Sequence, residues 1–379
     1  MLPVPTLTTW ASQAKKWLNH CLLTHPSHRS HAARDMPTRI IVVGDEHHLP
    51  YIHETGRQQG HWVSLSYVWG QKPWSITKLS NYEARKEEIV MDDLPKTIRD
   101  AVIMTRALGI QHLWIDALCI VQDSILDWER ESANMCAVYA NAILTIAAMD
   151  SPDSYSGLLT FNLRTTTRIE TATSKKILTT RGWTMQELAL SPRILWCQNT
   201  ELAWSCALET ACECTHEPRG RQREDLRFFN LNYSDVVHYD ASDLVRWWMD
   251  LIQVYTDKQL TNSTDRLPAL AGIAAFVQEM YGIRYLCGVW DCSWTFTRKT
   301  PHQRLPALSI GDRSITRLHY CEHRRVRDPR FEAVSCISRQ LFWGGSSMTK
   351  DPLLYRPSYN TSQAGPSGAS SVESSFSTI

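Results

Sequence analysis

No stretch of the chain reaches the apolar length needed to span a bilayer, and its first residues lack the compact hydrophobic core of a secretory signal. Both absences point to a cytoplasmic, reducing setting for the cysteines. An excess of one charge is missing too: 40 Lys and Arg stand against 39 Asp and Glu, a formal net charge of +1. Binding along a phosphate backbone needs a clustered basic excess, so nucleic acid is not an expected partner. The one local basic cluster, Arg324, Arg325, Arg327 and Arg330, reads as a solvated face. Paired C-x₂-C spacings are absent as well. The eleven cysteines are an odd, irregular set, which argues against a disulfide framework, and Cys206, Cys212, Cys214 and His216 lack the spacing of a structural zinc site. No metal ligands are assigned on this basis. No glycine-rich loop of the Rossmann or Walker type occurs, so no bound cofactor is expected.

What the chain does have is material for a large core, with 43% apolar residues over 379 positions. Residues 37–43 and 62–68 read as opening strands. Pro95, then Ile98, Ala101, Val102, Thr105 and Leu108 at helical spacing, then Gly109, describe an amphipathic helix with its stop. Residues 113–120 read as a central strand, 127–140 as a helix, 143–148 as a strand, 183–190 as a short helix and 194–206 as strand material. Alternating strands and helices predict an α/β fold with a mainly parallel central sheet flanked by helices. Further helices are expected at 244–255 and 267–280. Residues 358–379, rich in Ser, Thr and Gly, read as a disordered tail.

Three blocks put polar and aromatic groups at the ends of apolar runs: Leu65-Ser66-Tyr67-Val68-Trp69-Gly70, Leu113-Trp114-Ile115-Asp116 through Asp123, and Arg181-Gly182-Trp183-Thr184-Met185-Gln186-Glu187. Ligands of open α/β sheets bind beyond the carboxyl ends of the strands, so chemistry is expected where these runs stop.

These blocks, with Leu94-Pro95-Lys96-Thr97-Ile98, Asp127-Trp128, Glu131 and Val138-Tyr139, resemble the fungal heterokaryon-incompatibility (HET) domain over roughly residues 62–209. Trp17-Leu18, Cys21 and His25 resemble the flank that often precedes it, with Ser27 near the place of a frequent second cysteine. That flank is why the acid-free segment 1–34, basic at Lys15, Lys16, Arg29 and Arg34, is read as structured rather than as a mitochondrial leader. Asp265 through Ala274, with Arg284-Tyr285 and Gly288-Val289-Trp290, resemble the helical region that follows the domain. The resemblance suggests a flank at 1–36, a HET domain at 37–215, a helical extension at 216–290 and a divergent region at 291–357. It implies a core related to the Toll/interleukin-1 receptor (TIR) domain, with a flavodoxin-like sheet. It also implies a part in nonself recognition and regulated cell death, a form of innate immunity, with protein partners or self-association. Some TIR domains cleave NAD with a glutamate at the end of a Trp-Cys-x-x-Glu type segment, and Trp183 to Glu187 has that spacing.

The resemblance thus makes Glu187 the catalytic candidate and NAD or a related nucleotide the candidate substrate. The other reading of Glu187 is a structural ion pair with Arg181 or Arg193. Ser66, Tyr67, Trp69, Gly70, Asp116, Arg181, Trp183 and Gln186 are the candidate substrate-binding residues. Tyr67 and Trp69 could equally be core aromatics, and Gly70 a turn residue with positive φ. Asp116, placed inside an apolar run, needs a hydrogen-bond partner or an exposed strand end. Cys119 reads as a small buried residue, and Asp123, Asp127 and Glu131 at four-residue spacing as a solvated helix face. A non-enzymatic signalling module remains the rival. The two part on whether Glu187, Ser66 and Asp116 converge on one open pocket.

Overall fold

Thr6 and Thr9 cap the first helix reciprocally: the Thr9 N–H donates to Thr6 Oγ1 at 3.2 Å and the Thr6 N–H to Thr9 Oγ1 at 2.8 Å. The resulting helix α1 (Leu7–Thr24) buries Trp10, Ala14, Trp17, Leu18 and Cys21, a stripe at helical spacing. The computed structural model describes residues 6–25, 32–158 except 73 and 75, 177–199, 201–214, 219–220, 229, 241–283, 285–286 and 289–290. Ser27, His216, the arginine cluster, the 291–357 region and the tail lie outside the described residues.

Two short antiparallel pairs stand apart from the main sheet: β1 (Arg34–Asp35) with β4 (Gln59–Gly60), and β12 (Tyr285–Leu286) with β13 (Val289–Trp290). Among the described residues the main sheet has nine strands. In chain order these are β2 (Arg39–Val42), β3 (Tyr51–Glu54), β5 (Val63–Ser66), β6 (His112–Trp114), β7 (Leu144–Ala148), β8 (Arg193–Cys197), β9 (Leu202–Cys206), β10 (Glu209–Cys212) and β11 (Arg219–Gly220). Their spatial order is β11-β10-β9-β8-β7-β5-β6-β2-β3.

The expected mainly parallel sheet is not what forms. Five of the eight pairings are antiparallel and three, β5 with β6, β5 with β7 and β7 with β8, are parallel. The reason lies in connection length. A parallel return needs a crossover of a dozen or more residues, whereas β2 to β3 and β8 through β10 are joined by short turns that permit only antiparallel neighbours. The parallel part is therefore a four-stranded centre within a mixed sheet.

Helices α2 (Tyr82–Glu87), α3 (Lys96–Leu108), α4 (Asp116–Cys119), α5 (Ile125–Asn141) and α6 (Trp183–Leu190) are interleaved with the strands, and α7 (Ala241–Thr256) and α8 (Pro268–Tyr281) follow. Gly109 ends α3 with φ +81°, its N–H bonded to the carbonyls of Arg106 and Thr105. Within the main core α1 packs on α3, while α5 and α6 pack on α8. Trp247, Trp248, Leu251, Ile273 and Val277 build a second apolar cluster around Met185 and Ala189 of α6.

Residues 113–120 are not one strand. The strand stops at Trp114 and Asp116 begins the short helix α4, so this carboxylate sits at a strand end rather than inside the sheet. The acids of α5 also differ from expectation. Asp127 and Glu131 are buried, and Arg39 of β2 donates to Asp127 Oδ2 and lies 3.6 Å from Glu131 Oε1, with its Nε bonded to the Cys119 carbonyl at 2.6 Å. Burial works against the charge on Asp127, yet the Val121 N–H at 2.8 Å and the Arg39 guanidinium hold its carboxyl below the usual range. Only Asp123 stays near the surface, where it accepts from the Leu79 N–H at 2.8 Å.

Candidate functional site

A cleft of about 600 Å³ opens at the carboxyl end of the parallel strands. Strand β5 has β6 on one side and β7 on the other, so the crossovers leave it in opposite directions. Such a switch point is where open α/β sheets leave a crevice. Val68, Trp69 and Gly70, which follow β5, line this crevice with Asp116 from the end of β6 and Arg181, Trp183 and Glu187 from the start of α6.

Helix geometry selects the groups of α6. Trp183 and Glu187 are four residues apart and share one face, which meets the cleft. Gln186 is turned away: its Oε1 accepts from the Gly272 N–H of α8 at 2.7 Å, and it does not line the cleft. Gln186 thus joins two helices instead of meeting a ligand.

Ser66, the last residue of β5, is buried and donates from Oγ to Glu187 Oε2 at 2.5 Å. Burial pushes the Glu187 carboxyl up to about 7 against the opposing pull of the Ser66 hydroxyl and Arg181. No ion pair within 4 Å joins Glu187 to an arginine among the described residues. Arg193 points instead to Cys21, with Nε to Sγ 3.2 Å, and Arg181 Nη1 donates to the Tyr67 carbonyl at 2.5 Å. The structural ion-pair reading of Glu187 therefore lacks its partner.

Asp116 is held from two sides. Its Oδ2 accepts from Trp69 Nε1 at 2.8 Å and its Oδ1 from the Ala117 N–H at 2.7 Å. Desolvation in the cleft raises its carboxyl above the ordinary value, with Arg181 and Trp69 opposing. The buried Tyr67 hydroxyl lies beside Asp116 but outside good hydrogen-bond geometry, so Tyr67 belongs mainly to the core, with its polar end at the edge of the site. Trp69 is only partly buried: it packs against the main core on one side and forms a wall of the cleft on the other.

Gly70 has φ +77°, and a Cβ there would lie 2.4 Å from Asp153 Cβ. Gly70→Ala is expected to destabilise the protein by about 1–3 kcal/mol, because strained backbone and overlap add. Urea titration checks this, and an unchanged midpoint would contradict it.

Sequence reasoning missed Gln122, Trp128 and Asp265 at the cleft. Gln122 Nε2 donates to the carbonyls of Asp116 and Ile120, at 3.0 and 3.1 Å, and so fixes the loop that presents Asp116. Asp265 Oδ2 accepts from Trp183 Nε1 at 3.0 Å and closes the wall from the helical extension. Gln122, Trp128 and Asp265 each stood inside a block that carries the resemblance, but no role at the site was given to them there. Of the cysteines, Cys119 is buried as expected, and burial raises its thiol to about 12, which suits a packing role. Cys212 and Cys214 are disulfide-bonded, and Cys206 lies elsewhere, beside Cys21 and His25. No described helix is long and apolar enough to cross a membrane.

No curated protein and no solved structure matches the chain. Residues 62–177 match the family model described as heterokaryon incompatibility protein (HET), a segment that contains Ser66, Tyr67, Trp69, Gly70 and Asp116 and ends just before Arg181 and Glu187.

Proposed function

We propose that the chain is a heterokaryon-incompatibility-type protein, acting in nonself recognition and cell death, whose cleft hydrolyses the nicotinamide N-glycosidic bond of NAD or a related nucleotide. One observation carries this reading: Glu187, bonded to Ser66, and Asp116 converge with Arg181 on one open cleft walled by Trp69 and Trp183. Desolvation raises both carboxyls above their ordinary values, which is the setting in which enzymes place catalytic acids.

The groups suit the chemistry. Aromatic walls stack flat rings, and Arg181 supplies positive charge for a diphosphate. Breaking the bond sends its electron pair to the pyridinium nitrogen, which leaves as neutral nicotinamide, and positive charge grows on the ribose. A fixed carboxylate beside that carbon stabilises the oxocarbenium-like transition state. Water then adds to the sugar and gives up a proton, for which Glu187 is the acceptor. The cationic nicotinamide ring itself favours the ionised form of Glu187, so a carboxyl poised near 7 in the empty cleft becomes charged as substrate arrives. The relation of the parallel centre to TIR-like folds is part of the same proposal, supported by the β6-β5-β7-β8 order and the placing of Glu187 after the third parallel strand.

Equilibrium dialysis with NAD tests the cleft. Binding is expected to weaken at least about tenfold in Asp116→Asn and Arg181→Ala, since each loses a charge-assisted contact. If wild type retains no more NAD than either variant, the rival reading, a signalling module that works by self-association, takes its place.

A further inference from the structure

On the far side of the molecule from any function given above, the last turn of α1 meets the end of β9. Cys21, His25 and Cys206 are all buried, and their Sγ, imidazole nitrogen and Sγ lie within 4.8 Å of one another. His25 Nδ1 is 3.7 Å from Cys206 Sγ. Two ligands of a tetrahedral zinc ion, sulfur at about 2.3 Å and nitrogen at about 2.0 Å, stand about 3.6 Å apart, so this pair already has the required spacing. We propose that Cys21, Cys206 and His25 Nδ1 bind a zinc ion that fastens α1 to the sheet.

Three features around the trio support a metal over chance packing. The other imidazole nitrogen, His25 Nε2, lies 3.4 Å from Glu209 Oε1. A metal-binding histidine characteristically presents its second nitrogen to a carboxylate, which fixes the tautomer and strengthens the ligand. Both sulfurs also accept N–H hydrogen bonds, Cys206 from the Glu209 amide at 3.3 Å and Cys21 from Arg193 Nε at 3.2 Å. Arg193 is completely buried beside Cys21, and two thiolates with a neutral imidazole bring a divalent ion to zero net charge, so the ion adds no buried charge that lacks a partner. Finally, two thiolates and one imidazole form a soft donor set that selects zinc over magnesium or calcium. The fourth position is left for water.

The consequence is architectural. The ligands are separated by up to 185 positions, so the ion ties the helix that precedes the matched HET segment to a strand that follows it. Zinc binding would then be part of the folding free energy of this end of the protein.

The test uses the full chain, purified without a histidine tag in reducing buffer. Elemental analysis is expected to find about one zinc per chain in wild type, and a protein with Cys212→Ser and Cys214→Ser is expected to keep it. Cys206→Ser and His25→Ala are expected to lose it. Because those two variants can misfold, cobalt is added to wild type and to Glu209→Gln. A thiolate-to-cobalt charge-transfer band is expected in both, with affinity about 10–100-fold weaker in the variant. A metal-free wild type that shows no such band overturns the proposal. So does zinc that departs with Cys212 and Cys214, or a Cys21–Cys206 disulfide as the sole chemistry of the pair.

Discussion

Replacing Glu187 by glutamine is expected to abolish nucleotide hydrolysis and, in the same protein, to raise stability above pH 7. The first effect follows from the removal of the carboxylate bonded to Ser66 at the cleft; loss of a fixed charge that stabilises a transition state costs about 10²–10³-fold or more in rate. The second follows from where the carboxyl sits. Its ordinary value is 4.5, and burial lifts it to about 7 in the folded state. Between those values the folded protein holds a proton that the unfolded chain has released, so stability falls as pH rises through that window. Below about 4.5 the favourable contribution is complete, and above about 7 it is lost. Glutamine does not titrate, so the variant escapes this loss. The gain reaches at most about 3 kcal/mol at pH 8 and vanishes toward pH 4.5. Urea titrations at both pH values check it. An equal difference at the two would show that Glu187 does not titrate in this window. The paired outcome separates a functional acid from a structural one, because removing a structural acid lowers stability.

The second large effect is expected at Arg39, whose partners Cys119 and Asp127 adjoin Ile120 and Trp128 of the cleft wall. Arg39→Met leaves the buried Asp127 and Glu131 with only the half-exposed Arg130 as counter-charge, and breaking a buried ion pair from one side costs up to about 3–5 kcal/mol. The sign on the acid side agrees. Asp127 is held below its ordinary value, so its contribution is present above that value and is lost as pH falls through the folded one. Adding Asp127→Leu and Glu131→Leu to Arg39→Met is expected to restore much of the stability, since apolar groups of similar volume need no counter-charge. If Arg39→Met unfolds at the same urea concentration as wild type, the cluster holds nothing together.

Much of the site was legible because chemistry and topology agree. Apolar runs that end in Ser66 and Arg181 through Glu187 are short, strongly patterned and bounded by glycine, and strand ends are where an α/β sheet binds its ligands. The helix 183–190 could be read to the residue, so the shared face of Trp183 and Glu187 followed. The same helical count, carried one step further, would have set Gln186 apart from that face. What was not legible depends on partners distant in sequence. The antiparallel flanks come from short turns whose pairing no periodicity announces. The burial of Asp127 and Glu131 requires knowledge that Arg39 lies across from them, 88 positions away from Asp127. The run 113–120 misled for a related reason: it contains the end of a three-residue strand and then a helix, and hydrophobicity does not mark the break. The trio of Cys21, His25 and Cys206 escaped a search by spacing because two of its members stand 181 or more positions from the third in the sequence and meet it only in the fold.

Release of nicotinamide from NAD by the purified full chain, followed over time at high protein concentration, tests the central claim most directly. The account predicts steady release by wild type and none above background by Glu187→Gln, with the variant folded and at least as stable at pH 8. Release that continues undiminished in the variant, or none from a folded wild type that nonetheless binds NAD in the cleft, would contradict it.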